Sequence, residues 1–134
     1  MNLKVAEEPI DTGRALASLK ADTGGAVVTF SGIVRANEGG RILKGLQYDC
    51  YMDMAKKLFQ EAGEYVVHRF SLLDLVAIHR IGFVAPGETS LFVAVSALHR
   101  SEAFNGCSEF VERIKKKVPI WKKDIFAEGG ESWH

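Results

Sequence analysis

The segment KKKVPIWKKD, residues 115–124, places five lysines within nine positions around an apolar Val-Pro-Ile-Trp stretch. Lysine is strongly hydrated and normally lies at the surface, whereas the apolar residues between these lysines are of types that are usually buried. Some of the amines are therefore expected beside a dry surface. There an ammonium group can bind an anion, or an amine can take part in proton transfer or covalent chemistry. The segment predicts a site for an anionic ligand or reactant.

Helical spacing separates Lys115 from its neighbour Lys116. A helix turns by about 100° per residue, so Phe110 and Ile114 lie on one side and Lys115 lies at the edge of that side. Lys116 falls on the opposite, solvated side, four residues after Glu112. Lys115 is therefore the lysine placed to reach a pocket. The alternative, that all three lysines only complement the negative end of the helix dipole, stays open. The predicted apolar side comprises Ala103, Phe104, Cys107, Phe110, Val111 and Ile114.

Lys122 and Lys123 are adjacent, and in a strand adjacent side chains point to opposite faces of the sheet. The two amines are therefore expected in different surroundings. Periodicity does not choose which face lies inward. The two faces are Ile120, Lys122, Asp124 and Phe126 on one side, and Trp121, Lys123, Ile125 and Ala127 on the other.

Two further cationic positions lie where predicted elements meet. His99 and Arg100 stand between a predicted strand and a helix, whose free N–H groups and dipole favour a phosphate; a structural histidine is the alternative. Arg35 stands between a strand and the glycine-rich loop 36–40, an arrangement that can hold a phosphate or carboxylate. An ordinary strand-end arginine is the alternative there. The loop lacks the residue spacing of a nucleotide-binding P-loop.

Metal and nucleophile chemistry find little support in the chain. Its histidines and cysteines show no spacing typical of zinc ligands, and neither Cys50 nor Cys107 lies in a catalytic signature. We therefore expect no metal. Two cysteines far apart indicate a reducing compartment without a disulfide. For His79 and Arg80, at the end of an apolar run, a packing or interface role is expected.

The predicted elements alternate in a way typical of an α+β protein. Helices are expected over 12–22, over 52–68, and from a cap at Ser101 to the lysines, where Pro119 ends the last one. Residues 85–88, Ala-Pro-Gly-Glu, predict a type II turn that joins two buried strands into a hairpin. The order β-α-β-β-α-β-β-α-β favours a mixed or antiparallel sheet with helices over a doubly wound sheet. The five strands after the first helix are predicted over 26–35, 42–48, 72–81, 91–98 and 121–126.

Composition sets the broad class of the protein. The 134 residues, 47% hydrophobic and 25% charged, suit one domain spanning 1–134. The 17 basic and 17 acidic residues cancel, so no global attraction to nucleic acid or membrane is expected, and any anion site must be local. The N-terminal residues do not look like a signal peptide, and no apolar stretch is long enough to span a membrane. A cytoplasmic location is expected.

With these residues in view, the chain resembles the large, catalytic subunits of molybdopterin synthase. The matching segments follow the family order from about residue 24 to the end. A single segment would be a weak signal, whereas the whole set is specific. The segments are 29–35, 46–51 with 54–55, 79–82, 86–88, 93–100 with 103–104, Lys115 with 118–123, and Gly130 with Trp133.

The resemblance implies an α/β hammerhead-like α+β fold and a homodimer at the centre of a heterotetramer. Each large subunit is expected to hold a small ubiquitin-like sulfur-carrier subunit whose C-terminal Gly-Gly tail ends in a thiocarboxylate. That tail would deliver sulfur to cyclic pyranopterin monophosphate, and two transfers would build the dithiolene of molybdopterin. The implied activity is that of a sulfurtransferase in molybdenum cofactor biosynthesis, with no metal and no cofactor at the site.

The resemblance also implies roles for individual residues, and it favours Lys122 over Lys123. Family members often continue past the segment that ends near Trp133, with a tail that can add an arginine to the pocket, whereas this sequence ends at His134. The implied catalytic and substrate-binding lysines are Lys115 and Lys122; the implied anion-pocket residues are Arg35, His99 and Arg100; and the implied pocket or tail-channel residues are Phe30, Pro119, Ile120 and Trp121.

Two other functions remain as alternatives at this point. One is a non-catalytic homologue that docks a ubiquitin-like tail without turnover, although the joint presence of the cationic residues disfavours it. The other is a small RNA- or anion-binding module that uses the basic segment 113–123. Zero net charge and the lack of an RNP-like aromatic strand disfavour that module. Acid/base and covalent roles for the two lysines stay open, as does a role for either thiol.

Overall fold

A computed structural model describes residues 1–133 as two β-sheets and three helices. Among these residues, no helix is long and apolar enough to cross a membrane. The helices are α1 (Thr12–Ala17), α2 (Met52–Arg69) and α3 (Arg100–Lys117). The strands are β1 (Asn2–Ala6), β2 (Ala26–Ile33), β3 (Asn37–Glu38), β4 (Arg41–Cys50), β5 (Asp74–Arg80), β6 (Gly82–Val84), β7 (Thr89–Ala97), β8 (Ile120–Phe126) and β9 (Glu131–Trp133).

The first sheet has the strand order β1-β5-β7-β2, and helices cover both of its faces. Strand β1 runs parallel to β5, whereas β5–β7 and β7–β2 are antiparallel. Alternate side chains of β5 and β7 pack towards α2 and α3 on one face and towards α1 on the other. Two buried faces explain why these two strands are continuous apolar runs in the sequence.

The second sheet has the order β3-β4-β8-β9, and β6 also pairs with β4. Strands β3 and β4 form a tight hairpin at Gly39 and Gly40, which have positive φ angles of 57° and 79°. A small core of its own lies on this sheet. Tyr48 of β4 packs against both this core and the larger core beneath α2 and α3, so it marks the place where the two sheets meet.

Helices α2 and α3 pack together over the first sheet. Phe59 and Phe110 are almost completely buried between them, with ring centroids 5.6 Å apart. Gly106 allows a close approach on α3, because a Cβ there would lie 2.9 Å from a methyl carbon of Leu72. This packing fixes the direction of α3, and therefore where its C-terminal lysines emerge.

Most predicted elements are confirmed, with small shifts of their ends. The predicted α+β class is confirmed, and the strands over 72–81 and 91–98 pair as expected, although β6 is inserted between them and pairs elsewhere. The turn at 85–88 is also confirmed, because Glu88 N–H donates to Ala85 O at 3.1 Å and Gly87 has a φ of 86°.

Three local predictions were wrong. The helix over 12–22 ends at Ala17, because the chain beyond it is held to β5 by a 2.8 Å hydrogen bond from Lys20 N–H to Asp74. Ser101 does not cap α3, which begins at Arg100 without a side-chain cap. Phe104 is 61% exposed, because the sheet and α2 cover a narrower arc of α3 than its apolar spacing indicates.

Candidate active site

A cleft of about 440 Å³ lies where the two sheets meet. Its walls come from β2 and β7 of the first sheet, β4 and β8 of the second, and the last turns of α3. A larger groove of about 790 Å³ runs along β1 between α1 and α2, and it contains none of the predicted site residues. The cleft at the sheet junction is therefore the candidate active site.

Three cationic side chains line this cleft, and each comes from a different part of the fold. Lys115 projects from the C-terminal turn of α3, Lys122 from β8, and Arg35 from the chain just after β2. The tight connection between α3 and β8 brings the two lysines to the same cleft. Buried Val118 anchors this connection, and its N–H donates to Ile114 O at 3.1 Å.

The neighbouring lysines point elsewhere. Lys116 Nζ lies 3.8 Å from Glu112 Oε2 on the solvated side of α3, as the helical spacing predicts. Lys123 Nζ lies 2.9 Å from Glu131 Oε1 and 4.8 Å from the ring centroid of Trp133, on the opposite face of β8 from the cleft. The structure therefore distinguishes one lysine of each adjacent pair as the one that lines the cleft.

Two carboxylates accompany the cations. Glu38 lies 3.7 Å from Arg35 Nη2, and both side chains are partly or largely exposed. Asp124 is 3% exposed and lies on the same face of β8 as Lys122. Three cations and two carboxylates leave the described lining locally positive, although the whole chain has no net charge.

The floor of the cleft is polar but uncharged. The rings of Tyr48 and His79 meet edge to face, with centroids 5.4 Å apart. Burial raises the pKa of Tyr48, and this effect outweighs a hydrogen bond with Ser90 that acts in the other direction. Burial also lowers the pKa of His79, whose Nδ1 donates to Arg80 O at 2.8 Å. Near neutral pH the floor therefore presents a phenol and a neutral imidazole.

Sequence reasoning did not assign these floor residues to the site. The predicted packing role of His79 agrees with its burial, but its place in the cleft was missed. A usable signal was present for Asp124, which strand alternation places on the same face as Lys122. For Tyr48 and Ser90, which lie on β4 and β7, only the tertiary pairing reveals the proximity.

The predicted apolar pocket residues are mostly present in the lining. Phe30, Ile120 and Trp121 all line the cleft, and Trp121 also meets Tyr51 edge to face at 5.2 Å. Pro119 lies just before them, at the start of the connection into β8. The cleft therefore has an apolar wall beside its lysines.

His99 and Arg100 lie far from this cleft within one chain. They stand at the N-terminal end of α3, whereas Lys115 is near its C-terminal end, fifteen residues after Arg100. At 1.5 Å per residue the separation along the helix axis is about 22 Å. His99 is exposed, with Nδ1 3.9 Å from Glu102 Oε2. Their predicted role in substrate binding stays a prediction.

The cysteines lie outside the cleft lining. Cys107 is buried in the core under α3, and burial raises its pKa to about 11. Cys50 is half-buried at the end of β4, where burial, reinforced by Asp49, raises its pKa. Within residues 1–133, no cluster of three or more His, Cys, Asp or Glu side chains is arranged to hold a metal ion.

Known proteins are similar in sequence to almost the whole chain. The family model described as MoaE protein matches residues 5–117. A molybdopterin synthase catalytic subunit from Thermoplasma volcanium is 35% identical over 132 residues, covering 98% of this chain and 96% of that protein. One from Pyrococcus abyssi is 37% identical over 126 residues, covering 94% and 84%.

Solved structures agree with the sequence comparisons. Molybdopterin synthase from Staphylococcus aureus has a TM-score of 0.90 and 33% identity, covering 97% of this chain and 94% of that chain. A Helicobacter pylori structure, described as a protein–protein complex of subunits 1 and 2 of molybdopterin-converting factor, has a TM-score of 0.76 and 25% identity. It covers 98% of this chain and 88% of that one.

The fold and the cleft define an α+β enzyme subunit that gathers lysines from a helix and a strand around one cavity. The chain belongs to the MoaE family, the catalytic subunits of molybdopterin synthase. The family, the fold class and the enzyme type predicted from the sequence are confirmed.

Proposed function

We propose that the cleft transfers sulfur from the thiocarboxylate tail of a small ubiquitin-like partner to cyclic pyranopterin monophosphate, forming the dithiolene of molybdopterin. The observation that carries this proposal is the convergence of Lys115, Lys122 and Arg35 on one cleft. Both reactants are anionic, so cations must offset their repulsion as they meet. Replacement of oxygen by sulfur also requires proton transfers, which an amine can perform.

The two lysines are proposed to have different roles. Lys122 is half-buried on the inner face of β8, beside the apolar wall, and acts as acid and base near the thiocarboxylate. Lys115 is exposed at the end of α3 and binds or activates the pterin. A transient covalent adduct on a lysine is the alternative mechanism, and a mass increase trapped on the protein would distinguish it.

The partner is proposed to enter the cleft as an extended tail. Support comes from the Helicobacter pylori relative, whose structure is a complex of subunits 1 and 2. The apolar residues Phe30, Ile120 and Trp121 beside the lysines, with Pro119 next to them, suit a narrow channel for a Gly-Gly tail. An apolar channel would also exclude water from the thiocarboxylate.

Arg35 is proposed to hold the phosphate of the pterin, because guanidinium groups bind phosphate through paired hydrogen bonds. Its pairing with Glu38 is long and solvent-exposed, so an anionic ligand can replace it at little cost. The sulfur arrives already activated as a thiocarboxylate. The proposed reaction therefore needs no redox cofactor. We also propose that it takes place in the cytoplasm.

His99 and Arg100 are proposed to serve the cleft of a second copy in a homodimer. Within one chain they are about 22 Å from Lys115 along α3, too far to touch the same small substrate. Exposed apolar side chains surround them: Leu98 is 57% exposed, and Phe104 is 61% exposed. A self-association surface at this end of α3 would cover these apolar side chains. It would also bring His99 and Arg100 to the cleft of the second copy.

The test of the function is dithiolene formation from cyclic pyranopterin monophosphate and a thiocarboxylated partner, with this chain as the only other protein. Lys115→Ala and Lys122→Ala should each lose about 100-fold or more in rate. The matched controls are Lys116→Ala and Lys123→Ala, which should retain activity because these lysines face away from the cleft. A tight complex without product would instead indicate docking without catalysis. Absence of any complex would overturn the proposal.

A further inference from the structure

The backbone that carries Arg35 is held on both sides: Val34 bonds to the turn at 85–88, and Ala36 O accepts a 2.8 Å hydrogen bond from Leu43 N–H of β4. Strand β2 ends at Ile33, and Val34 then exchanges two hydrogen bonds with the turn. Val34 N–H donates to Glu88 O at 3.1 Å, and Gly87 N–H donates to Val34 O at 2.9 Å. Arg35 is the next residue. Its side chain is 76% exposed, with Glu38 3.7 Å from the guanidinium, so the backbone sets the point and direction from which the side chain reaches the cleft.

The side chain of Glu88 holds this turn together. Glu88 Oε1 accepts a 2.8 Å hydrogen bond from Ala85 N–H, so the Glu88 side chain links the two ends of the turn. Glu88 Oε2 lies 3.3 Å from Arg80 Nη1. The hydrogen bond from Ala85, helped by Arg80, lowers the pKa of this carboxyl, so it is ionised near neutral pH.

Arg80 is a rigid anchor for this carboxylate. Its side chain is only 11% exposed, and its Nε donates to Glu7 O at 3.4 Å. A guanidinium held in this way loses little conformational freedom when it binds a carboxylate, so the pair differs from a mobile surface ion pair. A continuous chain of contacts therefore runs from Arg80 through Glu88 and Val34 to the backbone of Arg35.

We propose that Glu88, anchored by Arg80, is a positioning residue for Arg35 and so controls affinity for the anionic group of the substrate. The inference rests on the proposed function only in taking Arg35 as a ligand of that group. Neither Glu88 nor Arg80 lines the cleft. Their influence must therefore pass through the turn, which is what distinguishes positioning from direct contact.

Steady-state kinetics of Glu88→Gln test the proposal. The glutamine side chain is nearly the same size as glutamate but has no charge for Arg80. The KM for cyclic pyranopterin monophosphate should rise roughly three- to tenfold, with kcat unchanged within about twofold. In an Arg35→Ala background the same substitution should produce no further rise in KM. Glu112→Gln, which removes the exposed pair with Lys116, is the matched control and should leave KM unchanged.

Hydrogen exchange provides a readout that does not depend on activity. The amide of Val34 should exchange faster in Glu88→Gln than in the wild type, whereas amides of the central strand β7 should not change. Arg80→Gln is the second variant. It keeps the hydrogen bond from Ala85 N–H to Glu88, so the increase in exchange at Val34 should be smaller than in Glu88→Gln. It takes the place of Glu88→Gln if that variant folds poorly.

The outcomes separate this inference from the proposed function. An unchanged KM in Glu88→Gln, or equal rises with and without Arg35, would overturn the positioning role. If Arg35→Ala itself leaves KM unchanged while product still forms, the sulfur transfer stands and the positioning inference fails. If the wild type forms no product, the proposed function fails, and exchange at Val34 alone decides whether Glu88 holds this backbone.

Discussion

Tyr48 lies directly opposite Lys122 in the antiparallel pairing of β4 with β8. Side chains at such positions have Cβ atoms about 5 Å apart, so the Tyr48 ring forms a wall beside the lysine stem. The rings of His79 and Tyr48 meet edge to face, at 5.4 Å between centroids. Lys122, which the family resemblance favours over Lys123, therefore lies beside an aromatic pair that joins the two sheets.

The first prediction concerns the aromatic pair of Tyr48 and His79. Tyr48→Ala should destabilise the protein by about 2–4 kcal/mol, because it leaves a cavity where the two cores meet. Tyr48→Phe should keep the packing and most of the activity. Because burial raises the pKa of Tyr48, the phenol does not ionise near neutral pH, so the pH–rate profile of Tyr48→Phe should have the wild-type shape. Thermal or denaturant unfolding and pH–rate curves check this, and a lost limb in the Tyr48→Phe profile would contradict it.

Arginine substitutions should separate the roles of the two lysines. Arginine keeps the positive charge but cannot release a proton in the accessible pH range. Lys122→Arg should therefore remain about 100-fold or more below the wild-type rate, whereas Lys115→Arg should recover to within about tenfold. Single-turnover rates of dithiolene formation make the comparison. Full activity in Lys122→Arg would show that charge alone is needed at that position.

Mixed dimers should test the proposed contribution of Arg100 across an interface. Lys122→Ala and Arg100→Ala chains should each be nearly inactive alone. In a statistically mixed population, half of the dimers are mixed, and each mixed dimer contains one intact site, so about a quarter of the wild-type activity should return. If Arg100 acts within its own chain, or not at all, mixing restores nothing beyond the sum of the separate chains.

Asp74 should contribute to stability in a pH-dependent way. Burial opposes its ionisation, but hydrogen bonds from Lys20 N–H, the Met1 amine and Leu75 N–H outweigh that effect and lower its pKa. A lowered folded-state pKa means that this stabilisation is present above the ordinary Asp pKa of about 4. It is lost as pH falls through the lower folded value.

Asp74→Asn is therefore expected to lower the free energy of unfolding at pH 7 by about 1–3 kcal/mol. It should also flatten the loss of stability below about pH 4. Denaturant unfolding at several pH values measures both effects. The exposed Asp22→Asn is the control and should change neither. A wild-type stability that stays constant down to about pH 2 would contradict the assignment.

Local geometry explains which parts of the site could be predicted from the sequence. The period of a helix places Lys115 at the edge of an apolar arc. The period of a strand places Lys122 and Asp124 on one face. Both agree with the cleft lining. The resemblance to known catalytic subunits then chose Lys122 over Lys123, and the orientation of β8 agrees with that choice.

Other features depend on contacts between distant segments. Residues 18–22 could continue a helix by local preference, but the bond from Lys20 to Asp74 directs the chain to β5 instead. Phe104 has helical spacing that suits a core position, yet the first sheet and α2 leave it 61% exposed. Tertiary contacts override propensity in both places.

The sequence by itself determined the order of the three helices and the main strands, the local charge pattern, and which side chains share a face, because backbone geometry sets those periods over a few residues. Only the tertiary structure decided that Tyr48, His79 and Ser90 form the floor beneath the lysines, and that Val34, next to Arg35, is hydrogen-bonded to the turn of Glu88. It also decided that the cleft is lined by Lys115 and not by His99 of the same chain. These relationships join residues far apart in the chain, and the packing of the two sheets fixes them.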